Sequence, residues 1–531
     1  MQNLRAPLTD PEAWAIAEAE KKLRRAGLRA CRMSLFRKSI DARRKNAIVY
    51  LCSVAAELEG FPESFPDEKT LAALDAIPLV RADFSPLPGA SLLAAPPAVV
   101  GFGPCGMFAA LALAERGYRP MVFERGGDVA FRERAVARFY QECLLSPECN
   151  IQFGAGGAGT FSDGKLVTRK NDRFCAYVLE RLVEFGAPRD ILVNARPHIG
   201  SDLLKRIVTN FASHIEALGG KIHYHTRVEA FRPMSGGGIA LRVGPDEIPA
   251  GAVVLAVGHS ARDTYEYLYK NRFALQPKAF SVGVRIEHRA EAINRAMYGE
   301  AAELLPPAEY NLSRVIGERG VYSFCMCPGG EVVAAASEEG GVVTNGMSLH
   351  ARDGVNSNAA LAVSVLPSDY GEDPMAAVAF QRNLERAAFA AGGGRYAAPV
   401  STVGDFLAGR SGSEPTAVLP TYMGGAYALA DLSALLPPFV TSMLRTGIMD
   451  FGGKIRGFDD PRALLTGVET RTSAPLRILR GESREAGALP GLYPCGEGAG
   501  YAGGIMSAAV DGLRTAAAII ERYCPLEKTD S

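Results

Sequence analysis

Apolar and polar positions near the start of the chain predict one helix and two strands. Residues 10–26 place apolar side chains at helical spacing behind a Thr-Asp-Pro start. The runs 30–36 and 47–58 are typical of strands, and a polar stretch joins them. These elements predict a small α+β module over residues 1–85, and the proline- and glycine-rich residues 84–97 indicate a linker.

From Ala98 onward, short apolar runs alternate with amphipathic segments, a pattern typical of an α/β fold with a largely parallel sheet. Residues 198–220 predict a helix that ends in two glycines, and residues 221–231 predict the strand after it. The apolar run at 250–261 predicts a buried strand closed by a glycine turn. We therefore assign residues 95–275 to one α/β domain.

The middle of the chain has more varied strands and longer loops. Alternation at 279–288 and 321–327 predicts sheet. The last segment, 481–531, returns to an apolar strand, a glycine-rich turn and a helix. Residues 276–480 are therefore expected to form an inserted α+β substrate or cap domain, and residues 481–531 to complete the α/β domain before it.

Composition indicates a globular protein with no global field for nucleic acid or membrane. The 531 residues are 48% hydrophobic and 22% charged, and the formal net charge is zero. Ten scattered cysteines without a CxxC pair favour reduced thiols in a cytoplasmic protein, with no metal site. The uncharged run 84–114 is interrupted by prolines and glycines, so no membrane span is expected.

The first strong motif follows the apolar strand at residue 98. Gly101, Gly103 and Gly106 form GxGxxG between that strand and a helix. The spacing allows a tight turn, the approach of a pyrophosphate to the backbone, and close packing of helix on strand. Glu124 ends the next strand, where a carboxylate binds an adenosine ribose. The motif therefore predicts a dinucleotide site.

A second glycine-rich loop, residues 496–504, indicates which dinucleotide binds. It places Glu497 at the end of an apolar strand, and Gly503 and Gly504 precede a helix. A nicotinamide site needs only the first half of the sheet, whereas FAD is longer, and its ribityl chain and ring need a second anchor. Glu497 can bind a ribityl hydroxyl, and the dipole of the following helix can face the flavin. A third stretch, residues 150–166, is expected to run along the same cofactor.

These pieces resemble the glutathione-reductase-type FAD fold, and nearly the whole chain is similar to a family of uncharacterised bacterial FAD-dependent dehydrogenases. The resemblance rests on the motifs RKSIDARRK, GFGPCGMFAALALAERG, NIQFGAGGAGTFSDGKL, PHIGSDLL, SVGVRIEH, YSFCMCPGG, TNGMSLHARDG and CGEGAGYAGGIMSAAVDG. It implies a Rossmann-like FAD-binding domain with an inserted α+β substrate domain and the small N-terminal α+β module. The residues then expected around FAD are Gly101, Gly103, Pro104, Cys105, Gly106, Glu124, Arg125, Gly154, Gly156, Gly157, Gly159, Thr160, Ser162, Lys165, Val228, Gly258, Gly496, Glu497, Gly503, Gly504 and Ile505.

Two further groups of residues are candidates for chemistry on a small-molecule substrate. Cys325 and Cys327 share one face of a predicted strand. They could act as a redox pair or as reactive thiols near the flavin, and the alternative is two buried cysteines that serve as small apolar side chains. His350 or Asp353 is a candidate general base, and Arg352 a candidate carboxylate ligand; a polar turn held by its own hydrogen bonds is the alternative.

Two questions stay open from the sequence. There is no second GxGxxG between a strand and a helix, so electrons would come from the substrate or from transiently docked NADH or NADPH. Residues 21–45 hold eleven lysines and arginines and one acid, Asp41. The favoured function is a FAD-dependent oxidoreductase. The alternatives are an RNA-modifying or RNA-binding flavoprotein that uses residues 21–45, and a flavin-bearing structural or sensor protein without turnover. Oligomeric state is not indicated.

Overall fold

The computed structural model describes residues 1–60, 65–79, 83–168 and 172–525. The first part of the chain forms a three-stranded antiparallel sheet of order β1-β3-β2, with one helix against it. Asp10 caps this helix, and its side chain accepts the N–H of Ala13. The elements are β1 Leu4–Ala6, α1 Pro11–Arg25, β2 Ala30–Asp41, β3 Val49–Leu58, α2 Glu68–Ala73 and β4 Ser91–Leu92.

The next part of the chain alternates short strands with helices, as its sequence pattern predicts. The elements are β5 Ala98–Val100, α3 Pro104–Ala114, β6 Met121–Phe123, α4 Val129–Glu142, α5 Cys175–Glu184, α6 Ser201–Ala217, β7 Lys221–His223, β8 Ala230–Pro233, β9 Ile239–Val243, β10 Asp246–Ala250, β11 Val253–Leu255 and α7 Arg262–Lys270.

The middle of the chain is built on longer strands. Its elements are β12 Leu275–Pro277, β13 Phe280–Arg289, α8 Ala290–Tyr298, β14 Ser313–Ile316, β15 Arg319–Cys327, β16 Glu331–Ala334, β17 Thr344–Met347, β18 Asn356–Val365, α9 Pro367–Tyr370, α10 Pro374–Ala391, β19 Ala398–Thr402, α11 Val403–Ala408, β20 Tyr427–Leu429, α12 Leu432–Leu435, α13 Pro438–Lys454, β21 Leu464–Glu469 and β22 Leu476–Ile478.

Of the last elements of the chain, a strand joins the sheet that contains β5, β6, β7 and β11, and a helix packs against α3. The elements are β23 Leu492–Pro494, α14 Ile505–Arg522 and β24 Tyr523–Cys524. Strand β23 joins a five-stranded sheet of order β23-β11-β5-β6-β7, in which every neighbouring pair is parallel. Because the strands are parallel, the loops after β5, β6, β11 and β23 leave the sheet at one edge. This edge brings residues from both ends of the chain together.

Helices α3 and α14 pack closely over the parallel sheet. A methyl group added at Gly512 would lie 2.2 Å from the carbonyl oxygen of Cys105, so the glycine allows the two helices to approach. The side chains of Cys105 and Cys495 meet there, with their sulfur atoms 3.1 Å apart. The apolar face of α14 is buried, and this packing fixes the loop before α14 relative to the loop before α3.

The strand predicted over residues 221–231 is wrong in its length. The structure has two strands there, β7 in the parallel sheet and β8 in a separate antiparallel sheet with β9 and β10. The chain turns between them because His225 and Thr226 donate their N–H groups to the carbonyls of Gly126 and Glu124, and His225 has a φ of 53°. Backbone contacts with the neighbouring loop therefore override the local strand pattern.

A mixed seven-stranded sheet of order β14-β15-β18-β13-β21-β19-β20 lies in the middle region. Most of its pairs are antiparallel, and strand β13 is buried almost throughout. The architecture is thus mixed α/β, whereas the domain boundaries drawn from the sequence stay predictions. Short 3₁₀ turns lie at Ala158–Phe161, Arg189–Leu192, Gly299–Leu304 and Tyr422–Gly424.

The described ranges contain no helix with the length and apolar character needed to cross a bilayer. Nor do they hold any cluster of three or more His, Cys, Asp or Glu side chains that could bind a metal ion.

Candidate active site

A cavity of ≈ 340 Å³ lies where the carboxyl ends of the parallel strands meet the seven-stranded sheet. Sequence-predicted residues from both ends of the chain line it together. They are Gly101, Gly103, Pro104, Cys105, Glu124, Arg125, Gly154, Gly157, Gly159, Ser162, Lys165, Val228, Gly258, Cys325, Glu497, Gly503, Gly504 and Ile505. Glu124 and Glu497 therefore share one cavity.

Four residues predicted to bind the cofactor are not in the cavity lining, and their contacts indicate roles in packing. They are Gly106, Gly156, Thr160 and Gly496. A methyl group at Gly106 would lie 1.9 Å from the carbonyl oxygen of Gly101, and one at Gly156 would lie 2.1 Å from Oγ1 of Thr160. Gly496 donates its N–H to Asp511 over 2.8 Å. These residues shape the loops, and their neighbours face the cavity.

Glu124 joins the first glycine loop to the third. Its buried carboxylate follows β6, and Oε2 accepts the N–H of Phe102 over 2.9 Å. Oε1 accepts the N–H of Gly126 over 2.9 Å and that of Gly154 over 3.0 Å. A carboxylate has about four acceptor positions. Glu124 therefore fixes two loops and still has acceptor capacity at the cavity.

Arg132 holds the third glycine-rich stretch in place, and it is not among the residues predicted from the sequence. Its guanidinium is fully buried on α4. It donates to the carbonyl oxygens of Asn150 over 2.8 Å, Ile151 over 2.7 Å, and Ala155 and Gly157 over 2.8 Å each. Burial lowers the pKa of Arg132 to about 10, so the group is protonated at neutral pH. One side chain thus shapes most of the loop.

A sequence signal for Arg132 exists. Val129, Arg132, Val136 and Phe139 share one face of α4 by their helical spacing, and the last three are buried. A charged residue on an otherwise apolar helical stripe is rarely buried unless it is satisfied by several partners. Such an arginine, close in sequence to a glycine-rich loop, indicates a residue that organises that loop.

Glu497 is a cavity-lining acid with an unusual proton affinity. Its side chain is 26% exposed, and burial raises its pKa to about 7. Nε2 of His259 lies 3.9 Å from its carboxylate. Burial and the neighbouring Arg471 lower the pKa of His259 to about 3, so the imidazole is neutral and provides no counter-charge. Glu497 can therefore hold or release a proton near neutral pH.

The titration of Glu497 gives a testable pH dependence. Because the folded-state pKa lies above the unfolded value, the ligand-free protein binds this proton more tightly when folded. The free energy of unfolding therefore falls as the pH rises from about 4.5 to 7. Over this range we expect the free energy of unfolding of the wild type to fall by about 1–3 kcal/mol more than that of Glu497→Gln. Urea unfolding of protein stripped of small molecules measures this difference; parallel curves for the two proteins would contradict it.

Four charged side chains form a neutral cluster beside the cavity. Arg352 donates to Asp163 through Nε over 2.9 Å and through Nη2 over 2.5 Å, and to Glu309 over 2.7 Å. Lys165 also pairs with Asp163 and lines the cavity. Against the effect of burial, Lys165 and Arg352 lower the pKa of Asp163 to about 2. Arg352 is thus held by two acids.

Arg285 organises the wall that the seven-stranded sheet gives to the cavity. It is fully buried and pairs with Glu469 over 3.0 and 3.1 Å. Its other N–H groups donate to the side-chain oxygens of Asn358 and Asn345 and to the carbonyl oxygen of Cys325, over 2.8, 3.1 and 2.9 Å. Glu469, Asn345 and Cys325 all line the cavity. The buried arginine therefore sets their positions.

Cys325 and Cys327 lie at an irregularity of β15. The register with β18 shifts between Phe324 and Cys327, and Cys325 has a φ of 44°. Cys325 lines the cavity, whereas Cys327 is fully buried, with its sulfur 3.3 Å from the carbonyl oxygen of Cys325. A hydrogen bond from the Cys327 thiol, and then the charges of Arg285 and Lys165, lower the pKa of Cys325 to about 6 despite burial. The Cys325 thiol therefore loses its proton more readily than an ordinary cysteine.

The other substrate-side candidates are placed elsewhere. Nδ1 of His350 lies 3.0 Å from the carbonyl oxygen of Ile199, and the backbone N–H of His350 donates to Asp202 over 2.9 Å. Asp353 is exposed. Of Cys325, Cys327, His350, Arg352 and Asp353, all within the described ranges, only Cys325 is in the cavity lining. The catalytic roles of these five residues stay predictions.

The profile of one protein family matches the middle of the chain. Residues 279–472 match the family described as "FAD-dependent protein, C-terminal domain-like". This range covers the seven-stranded sheet from β13 to β21, which forms one wall of the cavity. The match supports FAD as the cofactor.

A relative covers nearly the whole chain. It is an "Uncharacterized protein" of Clostridium beijerinckii (strain ATCC 51743 / NCIMB 8052), 46% identical over 510 residues, which are 95% of each chain. The chain therefore belongs to the same family as this clostridial protein. The FAD-dependent part of the resemblance drawn from the sequence is supported, and the RNA-binding alternative is not.

Solved structures of flavoproteins are distant from this chain. CtdE in complex with FAD is 12% identical with a TM-score of 0.34, and covers 79% of this chain and 82% of its own. NikD, "an unusual amino acid oxidase essential for nikkomycin biosynthesis", is 12% identical with a TM-score of 0.35, covering 80% and 94%. Glycine oxidase from Bacillus cereus ATCC 14579 is 11% identical with a TM-score of 0.35, over the same shares. TM-scores of this size do not define a shared chemistry.

Proposed function

We propose that the protein is a FAD-dependent oxidoreductase of the glutathione-reductase type that acts on a small molecule. The observation that supports this most is the single cavity lined by Glu124, by Glu497 and by the glycine loops that precede α3 and α14. The family match of residues 279–472 agrees with it. When bound, FAD supplies a two-electron centre that exchanges hydride at its N5 position.

The residues in the cavity fit FAD. A methyl group added at Gly258, Gly503 or Gly504 would meet no protein atom within 4 Å, and one at Gly103 would come no closer than 3.7 Å, to Cα of Gly157. The backbone at these glycines therefore borders open space, so that a cofactor can come into close contact with it. The cavity also has N–H groups at the start of α3, which suit a pyrophosphate.

Each end of the cofactor would have its own acid. Glu124 has the spare acceptor capacity that a ribose hydroxyl requires, and its charge disfavours a 2′-phosphate. Glu497 would accept a ribityl hydroxyl, and α14 directs its positive end toward the flavin. Near the substrate, Lys165, Cys325 and Asn345 line the wall that faces this end.

The substrate side is proposed more broadly. A small molecule would enter between the parallel sheet and the seven-stranded sheet, and Glu497, with its pKa of about 7, could hold a proton there. Arg352 would not bind the substrate directly, because Asp163 and Glu309 already accept hydrogen bonds from its guanidinium. It would instead hold Asp163, which pairs with Lys165 at the cavity. Electrons would come from the substrate or from transiently bound NADH or NADPH, and anaerobic bleaching of the flavin by each candidate distinguishes these donors.

Gly103→Ala tests the position of the cofactor. The residue has ordinary backbone angles, and its added methyl group has room in the protein, so stability without flavin should be unchanged. The methyl group fills space over which a pyrophosphate would pass, so we expect FAD affinity to fall at least about tenfold. Flavin released by denaturation and fluorescence titration of stripped protein measure both quantities.

The matched control is Gly487→Ala, an exposed glycine outside the cavity with open space around its added methyl group. It should bind FAD as the wild type does. A colourless wild-type protein that does not take up added FAD would overturn the proposed function. Equal FAD affinity in Gly103→Ala and Gly487→Ala would overturn the proposed position of the pyrophosphate.

A further inference from the structure

Cys325 lies in the same part of the cavity as the acid proposed to bind the ribityl chain. Both side chains line the cavity. Burial and, to a smaller extent, the charge of Cys325 raise the pKa of Glu497, so the two groups interact electrostatically. Asn345, Glu469 and Lys165 line the cavity with them. Cys325 therefore lies at the wall of the cavity near the place where the flavin ring is expected.

The backbone at Cys325 has two features that packing alone does not require, a bulge and a left-handed conformation. Phe324 pairs with Ala360 and Cys327 with Asn358, so β15 has one more residue than β18 across this step. Bulges of this kind occur beside active sites, where they redirect side chains. Cys325 also has a left-handed φ of 44°, a conformation that is strained for a residue other than glycine. A cysteine that only fills apolar space needs neither feature.

The strained backbone is held by the buried arginine on the neighbouring strand. Nη1 of Arg285 donates to the carbonyl oxygen of Cys325 over 2.9 Å, and Glu469 fixes the guanidinium from the other side. The same carbonyl oxygen lies 3.3 Å from the sulfur of Cys327. The two cysteines are thus brought together by a braced bulge at the cavity wall.

The two thiols also differ in the way that a disulfide-forming pair requires. Cys325 lines the cavity and loses its proton more readily than an ordinary cysteine, because Cys327, Arg285 and Lys165 stabilise its negative charge. Cys327 is fully buried, and its thiol keeps its proton because its pKa is raised by the interaction with Cys325 and by burial. A thiolate beside a protonated thiol is the arrangement from which a disulfide forms.

We propose that Cys325 and Cys327 are a second redox centre, a dithiol that closes to a disulfide as it reduces FAD in the cavity and reopens by the reverse exchange. The inference rests on the proposed function, because FAD is the electron partner. Formation of the sulfur–sulfur bond from a thiolate and a thiol releases two electrons and one proton. Oxidised FAD takes up two electrons and one proton to give its reduced anion, so the exchange needs no other reactant.

Reductive titration of the flavin-loaded protein tests this inference. After oxidation in air, the wild type titrated anaerobically with dithionite should take up about four electrons per chain, two for FAD and two for the disulfide. Cys325→Ser and Cys327→Ser should each take up about two electrons. The exposed Cys31 provides the matched control, and Cys31→Ser should behave as the wild type does.

A second measurement needs no variant and does not depend on turnover. Both cysteines lie between Arg319 and Arg352, so one tryptic peptide contains them. Alkylation of the quenched wild type should leave this peptide unlabelled before reduction and labelled twice after it. Flavin-loaded protein that takes up only two electrons, with the peptide labelled twice from the start, would overturn the inference and leave the proposed function intact. Absence of FAD binding would overturn both.

Discussion

Replacing Arg132 by lysine should abolish retention of FAD and lower the free energy of unfolding by at least about 3 kcal/mol. The buried guanidinium donates to four carbonyl oxygens of residues 150–157. An ammonium group has three donors without a planar fork, so buried carbonyl oxygens lose their partner. Each such loss costs about 1–3 kcal/mol. Urea unfolding and the flavin content of the purified protein measure the two effects.

Arg134 supplies the control for this substitution. It lies two residues away on the exposed face of the same helix, and Arg134→Lys should change neither stability nor flavin content. If Arg132→Lys and Arg134→Lys behaved alike, the glycine-rich loop would be held by its own backbone rather than by Arg132. Arg132→Met removes the charge as well as the hydrogen-bond donors, whereas Arg132→Lys keeps the charge. Arg132→Met should therefore lower stability and flavin content at least as much as Arg132→Lys does.

Replacing Arg285 by methionine should destabilise the protein by about 3–5 kcal/mol. The substitution leaves Glu469, which is almost fully buried, without its ion-pair partner and with only the hydroxyl of Thr344 as a donor among the described residues. It also releases the side chains of Asn345 and Asn358 and the carbonyl of Cys325. An uncompensated buried carboxylate accounts for most of the loss. Urea unfolding at neutral pH measures it.

A double-mutant cycle shows whether the buried charge is the cause. Arg285→Met combined with Glu469→Leu should recover at least about half of the lost stability, because no unpaired charge remains. The exposed pair Arg295 and Glu291 is the control, and Arg295→Met should cost less than about 0.5 kcal/mol. Simple additivity of the two buried substitutions would contradict the ion-pair explanation.

The sequence predicts the elements around the cavity well because their signals are local. An apolar strand, GxGxxG and a helix follow one another within residues 98–114, and their form does not depend on distant residues. The apolar run that becomes β23 and the helix α14 are equally self-contained. The edge of a parallel sheet then brings the two segments together, and this meeting follows from topology.

The remainder depends on contacts between residues distant in sequence. Arg285 lies within a run that predicts a strand, but its five hydrogen bonds reach residues as far away as Glu469. The predicted strand at 221–231 ends early because the loop after β6 offers backbone partners at 124 and 126. Motif spacing cannot show that His350 is held by the carbonyl of Ile199, since that contact depends on how two loops pack.

The contact between Cys105 and Cys495 joins positions 390 residues apart, and it has a consequence for biosynthesis. The ribosome makes β5 and α3 long before β23 and α14, so the parallel sheet has an open edge at β11 while the intervening residues emerge. An unpaired strand edge is prone to aggregation until its neighbour arrives. The nascent chain therefore cannot complete the cavity until Glu497 and the start of α14 have been made.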